Sequence, residues 1–249
     1  MITIQDLEAE VWATHETIIQ NLTMSFKSGK NYCLLGKNGS WKSTLSAVIA
    51  GSPKYTVSQG SINIDEKDLL EMSPEERSQA GIFLSFQNVP EIPWVKMSEY
   101  LRTIYNQYLK YNSPDTPELS PFIFKRHIKK YLTDLDIDEG FLNRDLNVGF
   151  SGWEKRKLEI LQMKLLSPKY IILDEIDSWL DLDAFRKVCE LLKTVDNDEN
   201  TLIIITHYFK ILEYIDVDEV HIMQAGKLAK SWGKELIAQV MEWGYDNLV

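Results

Sequence analysis

The chain has 249 residues, 44% of them apolar, enough to bury one large α/β core or, as the pattern below favours, one such domain with an inserted lobe. A formal net charge of −10 leaves no basic footprint for a phosphate backbone and argues against nucleic acid as a partner. No run of eighteen apolar residues occurs, and Met1-Ile2-Thr3-Ile4-Gln5 opens a strand pattern rather than a charged stretch before an apolar one, so neither export nor membrane insertion is expected.

Short apolar runs at Ile2–Leu7, Ile18–Phe26 and Tyr32–Leu35 predict strands, the last leading into a glycine-bearing loop and a helical stretch from Lys42 to Ala50. Ser61–Asp65 and Gly81–Ser85 continue as strands. Between them, Ser73-Pro74-Glu75-Glu76 is an N-cap with a proline-led first helical turn. From about Pro93 to Arg144 helical spacing takes over, first in Tyr100, Leu101, Ile104, Tyr105, Tyr108 and Leu109, then in Phe124, Ile128, Tyr131, Leu132 and Leu135. Residues 93–144 are therefore expected to form an inserted helical lobe, within a single domain whose core is 1–92 and 145–249. The polar stretch Asn112–Pro121, with three prolines, is its exposed loop.

Alternation then resumes: helix Trp153–Leu166, strand Tyr170–Leu173, helix Asp183–Val195, strand Thr201–Ile205, a helix from Tyr208, paired strands near Val220–Met223 and Lys227–Lys230, and a final helix from Lys234. Such alternation predicts an α/β fold with a mostly parallel core sheet and flanking helices. Cys33 in a strand and Cys189 in a helix are the only cysteines. They read as buried thiols of a cytoplasmic protein rather than a disulfide or a cluster site.

Three stretches carry chemistry. Gly36-Lys37-Asn38-Gly39-Ser40-Trp41-Lys42-Ser43 matches the phosphate-loop pattern G-x-x-x-x-G-K-[ST] at every fixed position except residue 41. In such a loop backbone amides cradle the phosphates, Lys42 reaches the terminal ones and the Ser43 hydroxyl ligates magnesium, which makes Gly36 to Thr44 the candidate ATP-binding set. Tyr170-Ile171-Ile172-Leu173-Asp174-Glu175 is an apolar strand releasing two carboxylates at its end. There Asp174 would hold Mg2+ and Glu175 would orient or deprotonate the attacking water. Ser151-Gly152-Trp153-Glu154-Lys155 opens a helix 23 residues before Asp174, so that its Ser hydroxyl and free amides form an anion-binding end.

The order of phosphate loop, Gln87 at a strand end, Ser151-Gly152, Asp174-Glu175, the loop Asp177-Ser178-Trp179-Leu180-Asp181 and Thr206-His207 resembles an ATP-binding-cassette ATPase over nearly the whole chain. Phe86-Gln87-Asn88-Val89-Pro90-Glu91-Ile92-Pro93, Asn147-Val148-Gly149-Phe150-Ser151-Gly152, Ile160-Leu161-Gln162-Met163 and Thr206-His207-Tyr208 resemble more specifically the SufC family, the ATPase subunits of the SUF iron–sulfur cluster assembly system. The resemblance implies an ABC-ATPase fold with an antiparallel β subdomain. It also implies SufB/SufD-like scaffold partners and a transient homodimer in which each ATP lies between one subunit's phosphate loop and the other's signature helix. Ser151 and Gly152 would then act in trans, Gln87 would sense the γ-phosphate and Mg2+, His207 would contact the γ-phosphate, and Asp181 would cross the interface. The residue facing adenine stays open, Trp12 and His15 being the nearby candidates. Arg156 reads as a solvated helix charge or as an ion-pair partner of Glu175. A membrane-transporter subunit would share every catalytic motif, and a non-hydrolysing structural component is a third class.

Tryptophan stands at 41, 153 and 179, where the family pattern wants glycine because the backbone approaches phosphate or the partner too closely for a Cβ. Trp94 follows Pro93 where the SufC-like pattern again has glycine. Trp232 and Trp243 sit against other glycines in turn-like context, and Trp12 lies in a polar segment. Tryptophan is ordinarily a core residue, yet none of the seven falls in a predicted strand. Glycine is scarce, 12 of 249 or about 5% against a usual ~7%, and counting the tryptophans as glycine brings it to about 8%. The reading is that most of them are UGA codons written as Trp in a lineage whose ribosomes insert Gly. The competing reading is a pseudo-ATPase in which Trp41 blocks nucleotide and Trp153 blocks closure.

Overall fold

The computed structural model describes residues 1–177 and 180–245, and the chain divides into two compact units. The first comprises Met1–Phe86, Pro168–Asp177 and Asp196–Val249. Its antiparallel sheet runs in the order β2-β1-β4-β5, from β1 (Ile2–Val11), β2 (Thr17–Phe26), β4 (Tyr55–Ile64) and β5 (Lys67–Asp68). In β1 the buried residues are Ile2 and Ile4 and then Leu7 and Ala9, a change of parity that a regular strand would place on opposite faces. A register shift between Ile4 and Leu7, with Asp6 at φ 46°, restores all four to the core side.

Among the described residues a second sheet runs β12-β11-β3-β10-β9-β6, from β3 (Tyr32–Leu35), β6 (Ile82–Ser85), β9 (Tyr170–Asp174), β10 (Thr201–Ile205), β11 (Glu219–Gln224) and β12 (Lys227–Gly233). All neighbours are parallel except the antiparallel β11–β12 pair. Every residue of β3, β9 and β10 is buried, which is why these strands read as unbroken apolar runs: both faces are covered. Helices α1 (Lys42–Ile49), α2 (Pro74–Gln79) and α7 (Glu235–Trp243) belong to this unit. The expected start of α2 is a full capping box, Ser73 and Glu76 each accepting the other's backbone N–H. The parallel strands β3, β9 and β10 deliver their carboxyl ends, and the loops that follow, to one edge.

The second unit, Gln87–Ser167 and Ser178–Val195, holds the stretch 93–144. It contains β7 (Ile92–Lys96) paired with β8 (Asp145–Leu146), and helices α3 (Met97–Asn112), α4 (Pro121–Asp134), α5 (Gly152–Leu166) and α6 (Leu182–Lys193). The proline-bearing loop after α3 is tied down by buried Asn106, whose side-chain amide donates to Leu119 O at 3.2 Å and accepts from Leu119 N at 2.9 Å.

Three expectations are corrected. Strand β7 lies where only helix was read, because its residues are mostly exposed and show no alternation. The segment after Tyr208 is a single 3-10 turn, Phe209–Glu213, rather than a helix. Trp94 and Trp232 lie within strands, β12 continuing to Gly233. Both cysteines are buried and form no disulfide, as expected, and burial pushes the Cys33 thiol up to about 12.

Candidate nucleotide site

The loop from Gly36 to Trp41 joins β3 to α1. Its backbone turns left-handed at Gly39 (φ 78°) and Trp41 (φ 72°), with Gly36 at φ 149°. Alternating left- and right-handed residues point successive amides inward and form an anion-binding concavity. Trp41 is the N-cap of α1 and supplies no side-chain acceptor, so the amides of its first turn stay open to another acceptor. Lys42 is buried and its ammonium donates to Gly36 O (2.8 Å), Lys37 O (3.2 Å) and Ser40 Oγ (3.2 Å). Burial holds its pKa below the usual lysine range, against the upward pull of Glu175 and Asp174.

Asp174 closes β9 and is buried; Ser43 Oγ donates to its Oδ1 at 2.8 Å. Burial raises the carboxyl pKa, the Ser43 bond opposing it and the Glu175 charge adding to the rise. A cation at this position would remove that desolvation penalty. Glu175 takes a left-handed backbone (φ 48°), locked by its N–H to Ile205 O at 2.9 Å, a local strain that costs on the order of 1–3 kcal/mol and turns the chain out of the sheet. Its Oε1 lies 3.1 Å from His207 Nε2. Burial, followed by the Lys42 charge, lowers the His207 pKa despite Glu175 and Asp177. The contact is therefore a neutral imidazole N–H donating to a carboxylate near pH 7. Behind it buried Thr206 donates to Asp177 Oδ2 (2.8 Å) and accepts from Tyr208 N (2.8 Å), a brace that sequence reasoning did not single out.

Gly36, Lys37, Asn38, Gly39, Ser40, Trp41, Lys42, Ser43, Thr44, Asp174, Glu175 and His207 thus share the first unit, on the loop after β3 and the first turn of α1, at the end of β9 and just after it, and after β10. Gln87, Ser151, Gly152 and Asp181 belong to the second. Ser151 is the N-cap of α5, as expected, in a capping box with Glu154: Ser151 N to Oε2 is 2.7 Å and Glu154 N to Ser151 Oγ is 3.2 Å. Arg144 supports this end, its guanidinium over the Phe150 ring at 4.1 Å and 3.6 Å from Glu154. A carboxylate therefore already sits on the helix N-terminus, and the Ser151 hydroxyl, 2.9 Å from Glu154 Oε2, must turn to reach a phosphate. Asp181 is the N-cap of α6, accepting from Ala184 N at 2.8 Å. Gln87 is exposed, and its backbone carbonyl accepts from Arg156 at 3.4 Å. Arg156 is not a solvated charge: it is buried and paired with buried Glu159 at 2.6 Å. His15 pairs with Glu10 at 3.0 Å, and Trp12 is 67% exposed.

Trp179 lies outside the described residues. Of the six other tryptophans none is buried: Trp12, Trp41, Trp94, Trp232 and Trp243 are exposed, and Trp153 is half-buried with the Lys157 ammonium 5.1 Å from its ring. Trp41 and Trp94 (φ 68°) both occupy the left-handed region that favours glycine, and Trp94 is 91% exposed. A left-handed backbone under an indole left almost wholly in solvent, as at Trp94, has the structural profile of a glycine position.

A phosphate-cradling loop beside a buried carboxylate, on a parallel sheet flanked by an antiparallel one, defines a nucleotide-binding cassette. A family model described as "ABC transporter" matches residues 19–178, and the chain belongs to this family of ATP-binding-cassette ATPases. It is 43% identical over 248 residues to a probable ATP-dependent transporter, ycf16, of Cyanophora paradoxa, covering 100% of this chain and 94% of the relative. It is 40% identical over 245 residues to the probable ATP-dependent transporter SufC of Escherichia coli, covering 98% and 97%. Vegetative protein 296 of Bacillus subtilis is likewise 40% identical over 245 residues, covering 98% and 92%. In fold, the chain is similar to the dimeric cassette MJ0796 in a post-hydrolysis state with ADP and Pi, with a TM-score of 0.75 at 19% identity over 94% of this chain and 98% of that one. The ATP-binding subunit of an ABC transporter gives 0.75 at 21%, covering 97% and 93%.

Proposed function

We propose that this ATPase is the subunit that drives iron–sulfur cluster assembly on a SufB/SufD-type scaffold in the cytoplasm. It works as one cassette with residues 93–144 as its lobe and closes transiently on a second copy around ATP. The observation that carries the ATP chemistry is the Ser43–Asp174 hydrogen bond with Glu175 and His207 beside it. Among the described residues no group of three or more His, Cys, Asp or Glu could hold a metal by itself. A hydroxyl and one carboxylate suit Mg2+, which keeps waters and takes its remaining oxygens from a substrate phosphate. Bound there, Mg2+ would neutralise charge on the phosphates. The chain's own residues do the rest: loop amides and Lys42 hold the triphosphate, Glu175 orients the water and takes its proton, and neutral His207, with a single N–H, turns that donor from Glu175 to the γ-phosphate when nucleotide binds. Gln87 senses the γ-phosphate and Mg2+ for the lobe, while Ser151, Gly152 and Asp181 act across the dimer.

This reading takes residues 41, 153 and 179 as glycine in the protein its own ribosomes make; the exposure and left-handed φ of Trp41 and Trp94 support it. UGG codons at these positions would refute it and favour a pseudo-ATPase. The scaffold role rests on the similarity to SufC along the whole chain. A transporter subunit is the second reading, favoured by the names of the same relatives. Affinity capture of the tagged chain from its host decides between them: co-purified SufB- or SufD-like scaffold supports assembly, and a multi-span membrane protein overturns it.

A further inference from the structure

The N-terminal end of α5 is pinned to the segment that begins at Gln87. Between β8 and Ser151 the chain takes two left-handed residues, Asn147 (φ 62°) and Gly149 (φ 65°), so its path depends on what holds them. Arg144 holds one side, donating to Gly149 O at 3.1 Å. Asn147 holds the other: it is buried, and its side-chain amide donates to Pro90 O at 2.9 Å. Two more contacts reach the same segment from beyond Ser151. Lys155 Nζ pairs with Glu91 Oε1 at 2.9 Å, and Arg156 donates to Gln87 O at 3.4 Å. All of these residues belong to the second unit. Residues 147, 155 and 156 therefore bracket Ser151 and Gly152 and tie both flanks to 87–91. Of the three, only Asn147 carries a visible cost, since its Oδ1 is buried with no hydrogen-bond partner among the described residues. A buried acceptor left unmet lowers stability, so this amide suits the holding of one loop path better than it suits stabilisation. Asparagine also enters the left-handed region more readily than most residues, which lets position 147 turn the chain and carry a donor at once.

We propose that Asn147 is a positioning residue for ATP hydrolysis: its amide, anchored on Pro90 O, sets where Ser151 and Gly152 present their hydroxyl and amides to the ATP held by a second copy. This rests on the closed-dimer reading above and adds a residue that itself touches no nucleotide. The phosphate loop lies in the first unit, so each chain's own capture of ATP does not depend on this amide. What depends on it is turnover of the ATP across the interface. Asn147→Gly is the selective variant, because glycine keeps the left-handed backbone and deletes only the amide. Losing one neutral hydrogen bond of this kind corresponds to roughly a two- to tenfold effect.

The test uses the full chain with glycine at 41, 153 and 179 as parent. Steady-state ATP hydrolysis is measured for parent and Asn147→Gly, with calorimetric ATP binding at protein concentrations low enough to keep copies apart. The proposal expects kcat to fall on the order of fivefold in Asn147→Gly while Kd for ATP stays within about twofold. Each protein is then mixed with an excess of Glu175→Gln chains, which lack the catalytic carboxylate but bring an intact Ser151 end to the other copy's ATP. In that mixture the deficit of Asn147→Gly against parent should shrink to within about twofold. A deficit that persists in the mixture places the effect on the chain's own ATP and overturns the inference. So does a Kd weakened as far as kcat falls, or a lower Tm with kcat kept, which would make Asn147 merely structural. A parent that neither binds nor hydrolyses ATP would overturn the nucleotide reading itself, a different outcome from a parent and Asn147→Gly that turn over alike.

Discussion

Replacing Trp41 by glycine takes an indole out of the middle of the phosphate cradle. The helix α1 has no side-chain cap, so the amides of Lys42, Ser43 and Thr44 are the donors available to a phosphate, while Leu45 N is already bonded to Trp41 O at 3.0 Å. A hydrogen bond to a charged group contributes about 1.5–3 kcal/mol. An indole that keeps the phosphate from two of these amides forfeits about 3–6 kcal/mol, or roughly 10²- to 10⁴-fold in Kd. Stability should move far less. Glycine relieves about 1–2 kcal/mol of left-handed strain, but its own unfolded-state freedom returns about 0.5–1 kcal/mol. Calorimetric titration of Mg-ATP into the Trp41 chain and into Trp41→Gly is the assay. The reasoning expects tight binding only in the glycine form. Dissociation constants equal within about threefold would refute it and show that the loop accommodates the side chain.

Asp174→Asn should raise the apo Tm by about 2–4 °C while abolishing Mg2+-dependent ATP turnover, because it removes a buried carboxylate whose ionisation burial disfavours; thermal melts with and without Mg2+ check both halves. His207, its folded pKa depressed below the unfolded value of about 6.5, makes the unfolded chain bind more protons at mildly acidic pH. Stability should therefore rise with pH toward about 6.5, and His207→Gln should flatten that slope in denaturant unfolding series; an unchanged slope assigns it elsewhere. Trp94→Gly, at an exposed left-handed position, should leave Tm unchanged or raise it by about 1–3 °C, whereas Trp232→Gly, in an extended strand, should lower it. Equal losses at both sites would contradict the assignment of Trp94 to a glycine backbone.

The parallel sheet was legible because strands covered on both faces cannot hide: Ile171 to Leu173 and Leu202 to Ile205 read as strands from any starting point. The phosphate loop and the Asp174-Glu175 pair were legible because their chemistry dictates residue type at fixed spacing. Strand β7 was not, since its exposed Pro93 and Trp94 show no side-chain period and it pairs with β8 only through Ile92 and Lys96 at its two ends. The burial of Arg156 could not be read either, because its partner Glu159 lies one turn along α5 on a face that looks polar in sequence.

Phosphate release from the full chain carrying glycine at 41, 153 and 179, compared with the same protein bearing Glu175→Gln, is the most direct measurement. The account predicts Mg2+-dependent release that falls at least about 100-fold in the Glu175→Gln protein while ATP binding is kept. Release that is absent in the parent, or equal in both proteins, would contradict it.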